Sequence, residues 1–128
     1  MGALGALGNV LIVAREEMIA ALLGLMVDVC GLQPKFAGRD QSVDDAISSG
    51  EFDAVLIDFD HPACSEDTVA AIRARGAVPI IFSPFRRPAE VAMFADHLAA
   101  KSFTVPISCE QFAKLFTESG YRPSDERG

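Results

Sequence analysis

The chain contains 128 residues, half of them hydrophobic, and carries a formal net charge of −7 at pH 7. This length fits one domain of roughly 100–200 residues, and the apolar content excludes intrinsic disorder as the main state. The acidic balance argues against nucleic acid or an anionic membrane as a partner. Because the cysteines are few and widely spaced, and no membrane helix or basic secretory leader is evident, we expect a cytoplasmic protein.

Segments typical of strands and of helices alternate along the chain. Continuous apolar runs predict strands buried on both faces, and apolar residues at helical spacing predict helices. The predicted strands cover residues 9–14, 33–37, 54–57, 78–82 and 103–105. The predicted helices cover residues 16–30, two segments that begin after Ser42 and Ser65, residues 88–100, and a segment after Ser108. Five strands alternating with five helices predict an α/β fold, a (βα)5 doubly wound parallel sheet.

The two ends of the chain differ from this central pattern. The first residues repeat Gly, Ala and Leu, and the last are polar with Pro and Gly. We therefore expect a disordered extension over residues 1–8, a domain over residues 9–119 and a flexible tail over residues 120–128.

Doubly wound sheets bind or react at the carboxyl ends of their strands, which directs attention to Asp58. Asp58 directly follows a buried strand, so its carboxylate is a candidate nucleophile, metal ligand or general base. A structural carboxylate that caps a loop is an equal alternative. Nearby Asp60, His61 and Cys64 form only a weak pattern for zinc, and an exposed loop is the preferred interpretation.

The first turn after a strand reads Ala-Arg-Glu-Glu over residues 14–17 and contains no glycine. Its backbone is therefore poorly suited to cradle a phosphate, and its acids would repel one. This disfavours a nucleotide or flavin site, so a flavodoxin-like binder of small molecules is a minor alternative.

Three segments resemble the receiver domain of two-component response regulators: DAVLIDFDHP (residues 53–62), VPIIFS (residues 78–83) and the pair Val105-Pro106. The resemblance covers residues 9–119 and implies a flavodoxin-like sheet with strand order 2-1-3-4-5. It places Asp58 at the phosphoacceptor position, with Pro62 four residues later. It also places Ser83 at the position of the switch Ser or Thr, and Pro106 at that of the proline after a cis peptide bond.

The chain departs from this family at the groups that handle the phosphoryl charge. Receivers have two adjacent acids after the first strand to hold Mg²⁺, and here Ala14 and Arg15 stand in those places. Val105 stands where receivers have a Lys, and Lys101 lies four residues too early to replace it. The resemblance thus implies a degenerate receiver without enzyme activity and without a Mg²⁺ cofactor.

Two hypotheses concern the space left by the missing acids. The Arg15 guanidinium could form an ion pair with Asp58 and neutralise it permanently. Alternatively, Asp58, a backbone carbonyl and Glu16 could form a weak Mg²⁺ site. A shift of the turn by one residue would also bring Glu16 into the pocket.

We expect a module of two-component or phosphorelay-type signalling that acts by protein–protein contact without phosphorylation. Its expected partners are a histidine kinase or a downstream regulator, and a homodimer would use residues of about 88–119. Most apolar residues there are expected in the core, and any that are exposed would mark a partner surface; the candidates are Val91, Phe94, Leu98, Phe112 and Phe116. The alternative is a receiver that is still phosphorylated on Asp58 and keeps Ser83.

Overall fold

The computed structural model describes residues 8–37, 42–50, 52–84, 88–105 and 107–118. The strands are β1 (Asn9–Val13), β2 (Gln33–Phe36), β3 (Ala54–Asp58), β4 (Val78–Pro84) and β5 (Lys101–Val105). The helices are α1 (Glu17–Val29), α2 (Val43–Ser49), α3 (Glu66–Ala74), α4 (Pro88–His97) and α5 (Cys109–Glu118). Strands and helices alternate without exception through these described residues, as the sequence predicts.

The five strands form one parallel sheet in the order β2-β1-β3-β4-β5. This confirms both the predicted fold class and the strand order that the resemblance implies. The direction of strand addition reverses between β1 and β3, so a crevice opens there at the carboxyl edge of the sheet.

The sheet carries a separate apolar layer on each face. Leu56 and Phe82 point toward α1 and α5, whereas the adjacent Ile57 and Ile81 point toward α2, α3 and α4. All four side chains are fully buried, because successive residues of a strand face opposite sides and both sides are covered. This explains why the central strands contain no polar alternation.

Three helices end with the same pair of backbone hydrogen bonds, the Schellman motif. α1 ends at Gly31 and α3 at Gly76, both with positive φ. α4 ends in the same way at Ala99, which has a φ of 56°. The sequence therefore predicts the end of α1 well but extends α4 too far, since no glycine marks its true end.

The boundaries of two strands also differ from the prediction. β5 begins at Lys101 rather than Phe103, because Lys101 already pairs with Ile80 of β4. β4 continues to Pro84, which pairs with Val105. Pairing to a neighbouring strand determines these ends, and it is not visible in the local sequence. Of the predicted N-terminal extension only Gly8 is described, and its N–H donates to Asp53 Oδ2 at 2.9 Å; the predicted tail lies outside the described residues.

Candidate functional site

Asp58 ends β3 at the carboxyl edge of the sheet and is only 2% exposed. Its Oδ2 accepts the backbone N–H of Arg15 at 3.2 Å, and its Oδ1 accepts that of Asp60 at 2.9 Å. A buried carboxylate needs such donors, because leaving it unpaired would be costly. Each carboxylate oxygen is therefore bonded to the loop that follows a different strand, so Asp58 links the β1–α1 turn to the β3–α3 loop.

The β3–α3 loop folds over Asp58 through a series of tight turns. The His61 N–H donates to the Asp58 carbonyl at 3.0 Å, and the Ala63 N–H donates to His61 Nδ1 at 2.9 Å. The imidazole thus accepts a hydrogen bond on Nδ1, which favours its neutral form. Ser65 then accepts the Thr68 N–H and begins α3 as its N-cap.

Burial changes the proton affinity of two side chains in this loop. It lowers the pKa of His61 below its ordinary 6.5, with Arg15 adding to the decrease and Asp58 opposing it. It raises the pKa of the half-buried Cys64 thiol to about 11, and the charges of Asp58 and Asp60 add to this increase. Both groups are therefore neutral at physiological pH.

The structure settles which residues of the first turn face Asp58. Val13 pairs with Ile57, so Ala14 follows at the level of Asp58, and it packs against the core. Arg15 comes next and reaches Asp58 through its backbone N–H, while its side chain is exposed. Glu16 is the exposed N-cap residue of α1, so the one-residue shift does not occur.

These positions correct the hypothesis of an ion pair between Arg15 and Asp58. Within the described residues, the contact between Arg15 and Asp58 is a backbone hydrogen bond rather than the expected ion pair of the guanidinium. Glu16 is exposed at the N-cap of α1. The described part of the chain contains no group of three or more His, Cys, Asp or Glu that could hold a metal ion. A weaker Mg²⁺ site with only Asp58 and Glu16 as carboxylate ligands stays a prediction.

The other residues of the predicted pocket lie at the same carboxyl edge. Ser83 is fully buried and follows Phe82, the β4 residue that pairs with Asp58. Val105 is buried at the end of β5, whereas Lys101 begins this strand, and thus lies at the opposite edge of the sheet. Pro106 lies outside the described residues. Ser83 and Asp58 therefore lie at the ends of adjacent strands. The apolar side chain of Val105 lies at the position where receivers have a Lys.

An open cleft of about 930 Å³ lies beside these loops, over the carboxyl ends of β1 and β2. Its walls come from α1, the start of α2 and the β3–α3 loop. Lining residues include Ala14, Arg15, Phe36, Ser42, His61 and Thr68. Arg15, Glu17 and Asp44 contribute charges of both signs to the cleft, beside apolar and hydroxyl groups, and the cleft borders the turn that holds Asp58.

Most residues named as candidates for a partner surface lie in the core instead. Val91, Phe112 and Phe116 are buried, since α4 and α5 pack them against opposite faces of the sheet. Phe94 and Leu98 are half-buried in the same apolar layer as Val91. Phe94 also contacts Phe59 edge to face, with ring centroids 5.6 Å apart. Of these five candidates, only Phe94 on α4 and Leu98 directly after it are partly exposed.

Solved structures resemble this architecture over most of its length. The receiver domain of NtrC4, solved in solution as a beryllofluoride-activated dimer, superposes with a TM-score of 0.70 and is 21% identical, covering 87% of this chain and 94% of its own. Chemotaxis protein CheY4 of Vibrio cholerae gives a TM-score of 0.68 at 16% identity, with 88% and 98% covered. The chain has the fold of a response-regulator receiver domain.

A protein of Burkholderia pseudomallei, described by its name as pilus assembly-related, also resembles this chain. It superposes with a TM-score of 0.71 at 11% identity, and 93% of each chain is covered. No protein-family model and no curated protein matches this chain. Among the described helices, none is both long enough and apolar enough to cross a membrane.

Two features of this receiver-fold site were missed by sequence reasoning. His61 was considered only as a weak zinc ligand, yet its ring organises the loop over Asp58 through Ala63. Phe59 was not singled out, yet it connects this loop to Phe94 of α4. The sequence signal that could have pointed to this role of His61 was its position directly before Pro62, in a loop that follows a strand. No local signal identifies the ring contact, because its partners are 35 positions apart.

Proposed function

We propose that the chain is a degenerate receiver module of two-component or phosphorelay-type signalling, which acts in the cytoplasm by protein–protein contact without being phosphorylated. The observation that carries this proposal is the set of groups around Asp58. Ala14 and Arg15 follow β1, and Val105 ends β5, so neither a second carboxylate nor a lysine accompanies Asp58 at these strand ends.

The loss of the acids and the lysine matters because of the chemistry of phosphoryl transfer. Negative charge on the transferred oxygens must be neutralised, and a metal ion with positioned cations normally does so. Mg²⁺ is held by one or two carboxylates in nearly octahedral geometry. Asp58 is buried, and Ala14 and Val105 stand where receivers have an acid and a Lys. The site is therefore poorly equipped to bind Mg²⁺ or to neutralise the phosphoryl charge.

The hydrogen bonds of Asp58 support a structural role for this residue instead of a role as phosphoacceptor. Its two oxygens already accept N–H groups from the β1–α1 turn and the β3–α3 loop. These bonds hold both loops in one arrangement without a phosphoryl group. A receiver of this type would present one fixed surface to its partner, with a histidine kinase or a downstream regulator as the expected partner class.

The contact between Phe59 and Phe94 supports a path from this site to α4. Phe59 directly follows Asp58, and Phe94 lies in the middle of α4. The arrangement of the loop over Asp58 therefore influences how α4 packs. The partly exposed edges of Phe94 and Leu98 make α4 the surface through which we expect a partner to sense this fixed state.

A second candidate function is a receiver that is still phosphorylated. It is favoured by Asp58 and Ser83, which lie at the carboxyl ends of the adjacent strands β3 and β4. A hydroxyl beside an acceptor carboxylate is suited to hydrogen-bond a phosphoryl oxygen. This candidate requires water or another group to replace the missing charges.

Incubation with Mg²⁺ and phosphoramidate, followed by intact-mass measurement, separates these two functions. We expect no phosphoryl adduct on the wild type or on an Asp58→Ala control. The combined variant Ala14→Asp, Arg15→Asp and Val105→Lys restores the missing groups and serves as the positive control, with its fold verified by circular dichroism. An adduct on the wild type that Asp58→Ala abolishes would overturn the phosphorylation-independent mechanism.

A further inference from the structure

The outer face of α1 carries a stripe of exposed apolar side chains. Met18 is 83% exposed, Leu22 40%, Leu25 65% and Val29 70%. Successive spacings of four, three and four residues place these side chains within about 60° of one another around the helix. The stripe has the a/d spacing of a coiled-coil seam, although it lies outside the packed core of the domain.

We propose that this α1 stripe, Met18 with Leu22, Leu25 and Val29, is a homodimer interface in which two copies of α1 pack antiparallel about a two-fold axis. The order of the spacings is the same when the helix is reversed. With the axis between Leu22 and Leu25, Met18 faces Val29 of the second copy and Leu22 faces Leu25. An isologous contact requires the same surface of both copies to be complementary to itself after a two-fold rotation, and this pattern of residues meets that requirement.

The exposed area fits this kind of contact. The four side chains of the stripe present on the order of 400 Å² of apolar surface, a size at which exposed patches often mark interaction sites. A stable interface buries roughly 800 Å² per partner, of which about 60% is apolar. The stripe therefore supplies most of the apolar area that each copy contributes to a stable dimer.

The charges around the stripe favour a protein partner over a membrane surface. α1 contains no Lys or Arg, and Glu17 and Asp28 lie at its two ends. Helices that bind anionic lipid surfaces carry basic residues on their polar face. No charged residue interrupts the stripe itself, so the two copies bury no charge at its centre. Since each chain has a net charge of −7, we expect salt to strengthen association by screening repulsion.

Sedimentation velocity over a range of concentrations tests the interface. The wild type is expected to dimerise, and Leu25→Glu to raise the dissociation constant at least tenfold or to abolish the dimer. The exposed site and the high helix propensity of Glu should leave the fold intact. Met93→Glu is the matched control, because Met93 is 72% exposed on α4, on the other face of the sheet.

Disulfide trapping tests the orientation of the two helices. Met18→Cys and Val29→Cys are made separately in a background in which Cys30 and Cys109 are replaced by Ser, and one of the two proteins carries a size tag. An antiparallel pair cross-links the two different variants when they are mixed. A parallel pair cross-links each variant to itself.

Three outcomes would overturn the proposal. The first is a wild type that stays monomeric at concentrations of about 100 μM in high salt. The second is a dimer that Met93→Glu dissociates and Leu25→Glu leaves unchanged. The third is trapping of each variant only with itself. Preferential trapping between the two variants, together with loss of the dimer in Leu25→Glu, supports the antiparallel α1 interface.

Discussion

At the scale of single residues, the backbone of two loops holds the carboxylate of Asp58 in place. Its carboxylate is buried, and each oxygen accepts one backbone N–H, from Arg15 or from Asp60. Ala14 and Arg15, the first two residues of the turn, place no acidic side chain beside these donors. The negatively charged carboxylate of Asp58 therefore stabilises the positions of the two loops.

We expect Asp58→Asn to destabilise the protein by about 1–3 kcal/mol. An amide has one oxygen, so its NH₂ group would face one of the two N–H donors and leave it unpaired. Urea unfolding measures the change, with Asp96→Asn on the exposed surface of α4 as a control expected to stay within about 0.5 kcal/mol. A more stable Asp58→Asn protein would show that uncompensated negative charge surrounds this site.

His61 is expected to make stability depend on pH. Its pKa is lowered in the folded state, so on acidification the unfolded chain takes up a proton near pH 6.5, before the folded protein does. The contribution of His61 is therefore fully present above about pH 6.5 and is lost as the pH falls toward the folded pKa. Since His61 is only partly buried, we expect a modest effect.

His61→Asn isolates this effect. An asparagine oxygen can accept the Ala63 N–H as Nδ1 does, but the side chain does not titrate. Urea midpoints of the two proteins should separate between pH 7.5 and pH 5.5, with the wild type losing more stability. Parallel pH profiles would mean that the imidazole has the same proton affinity in both states.

At the scale of elements, the helix ends show how one backbone motif is built from different residues. Gly31 and Gly76 end α1 and α3 with positive φ, which glycine adopts without strain. Ala99 ends α4 in the same conformation, and the Arg73 guanidinium donates to the carbonyls of Leu98 and Ala99. This contact from α3 accounts for a helix end that lacks glycine.

We expect Ala99→Gly to stabilise the protein by about 0.5–1 kcal/mol, because it removes the cost of a left-handed alanine. Gly76→Ala is the reciprocal variant. A methyl group at Gly76 would meet no atom within 4 Å, so only backbone strain should destabilise it, by a similar amount. Thermal unfolding of both variants checks this; a loss of stability in Ala99→Gly would mean that the conformation of this turn differs.

At the scale of the whole molecule, the arrangement of layers follows from the sequence, whereas the exposed surface does not. Strands such as Val55–Ile57 are apolar at every position, which requires a helix layer on both faces. The alternation of strands and helices then requires parallel pairing, and a shared motif with receivers implied the strand order. The exposed α1 stripe was not predicted.

The reason is that α1 is apolar around most of its circumference. Its sequence, EMIAALLGLMVDV, presents apolar residues both toward the core and away from it. Periodicity alone therefore does not determine which side faces the sheet. The packing of Leu23 and Val27 against the strands determines the rotation of the helix, and this leaves Met18 and Leu25 outside.

The sequence by itself determined the order of elements, the buried central strands, the Ser42 and Ser65 caps, and the absence of an acid pair next to Asp58. These properties depend on residues close together in the chain, or on the identity of single residues. Only the tertiary structure decided that the backbone of Arg15, and not its side chain, reaches Asp58. It also decided that Phe59 contacts Phe94 and that one face of α1 is exposed. Those features arise from packing between residues far apart in sequence, where the rotation of a helix or the path of a turn is set by contacts that no local pattern encodes.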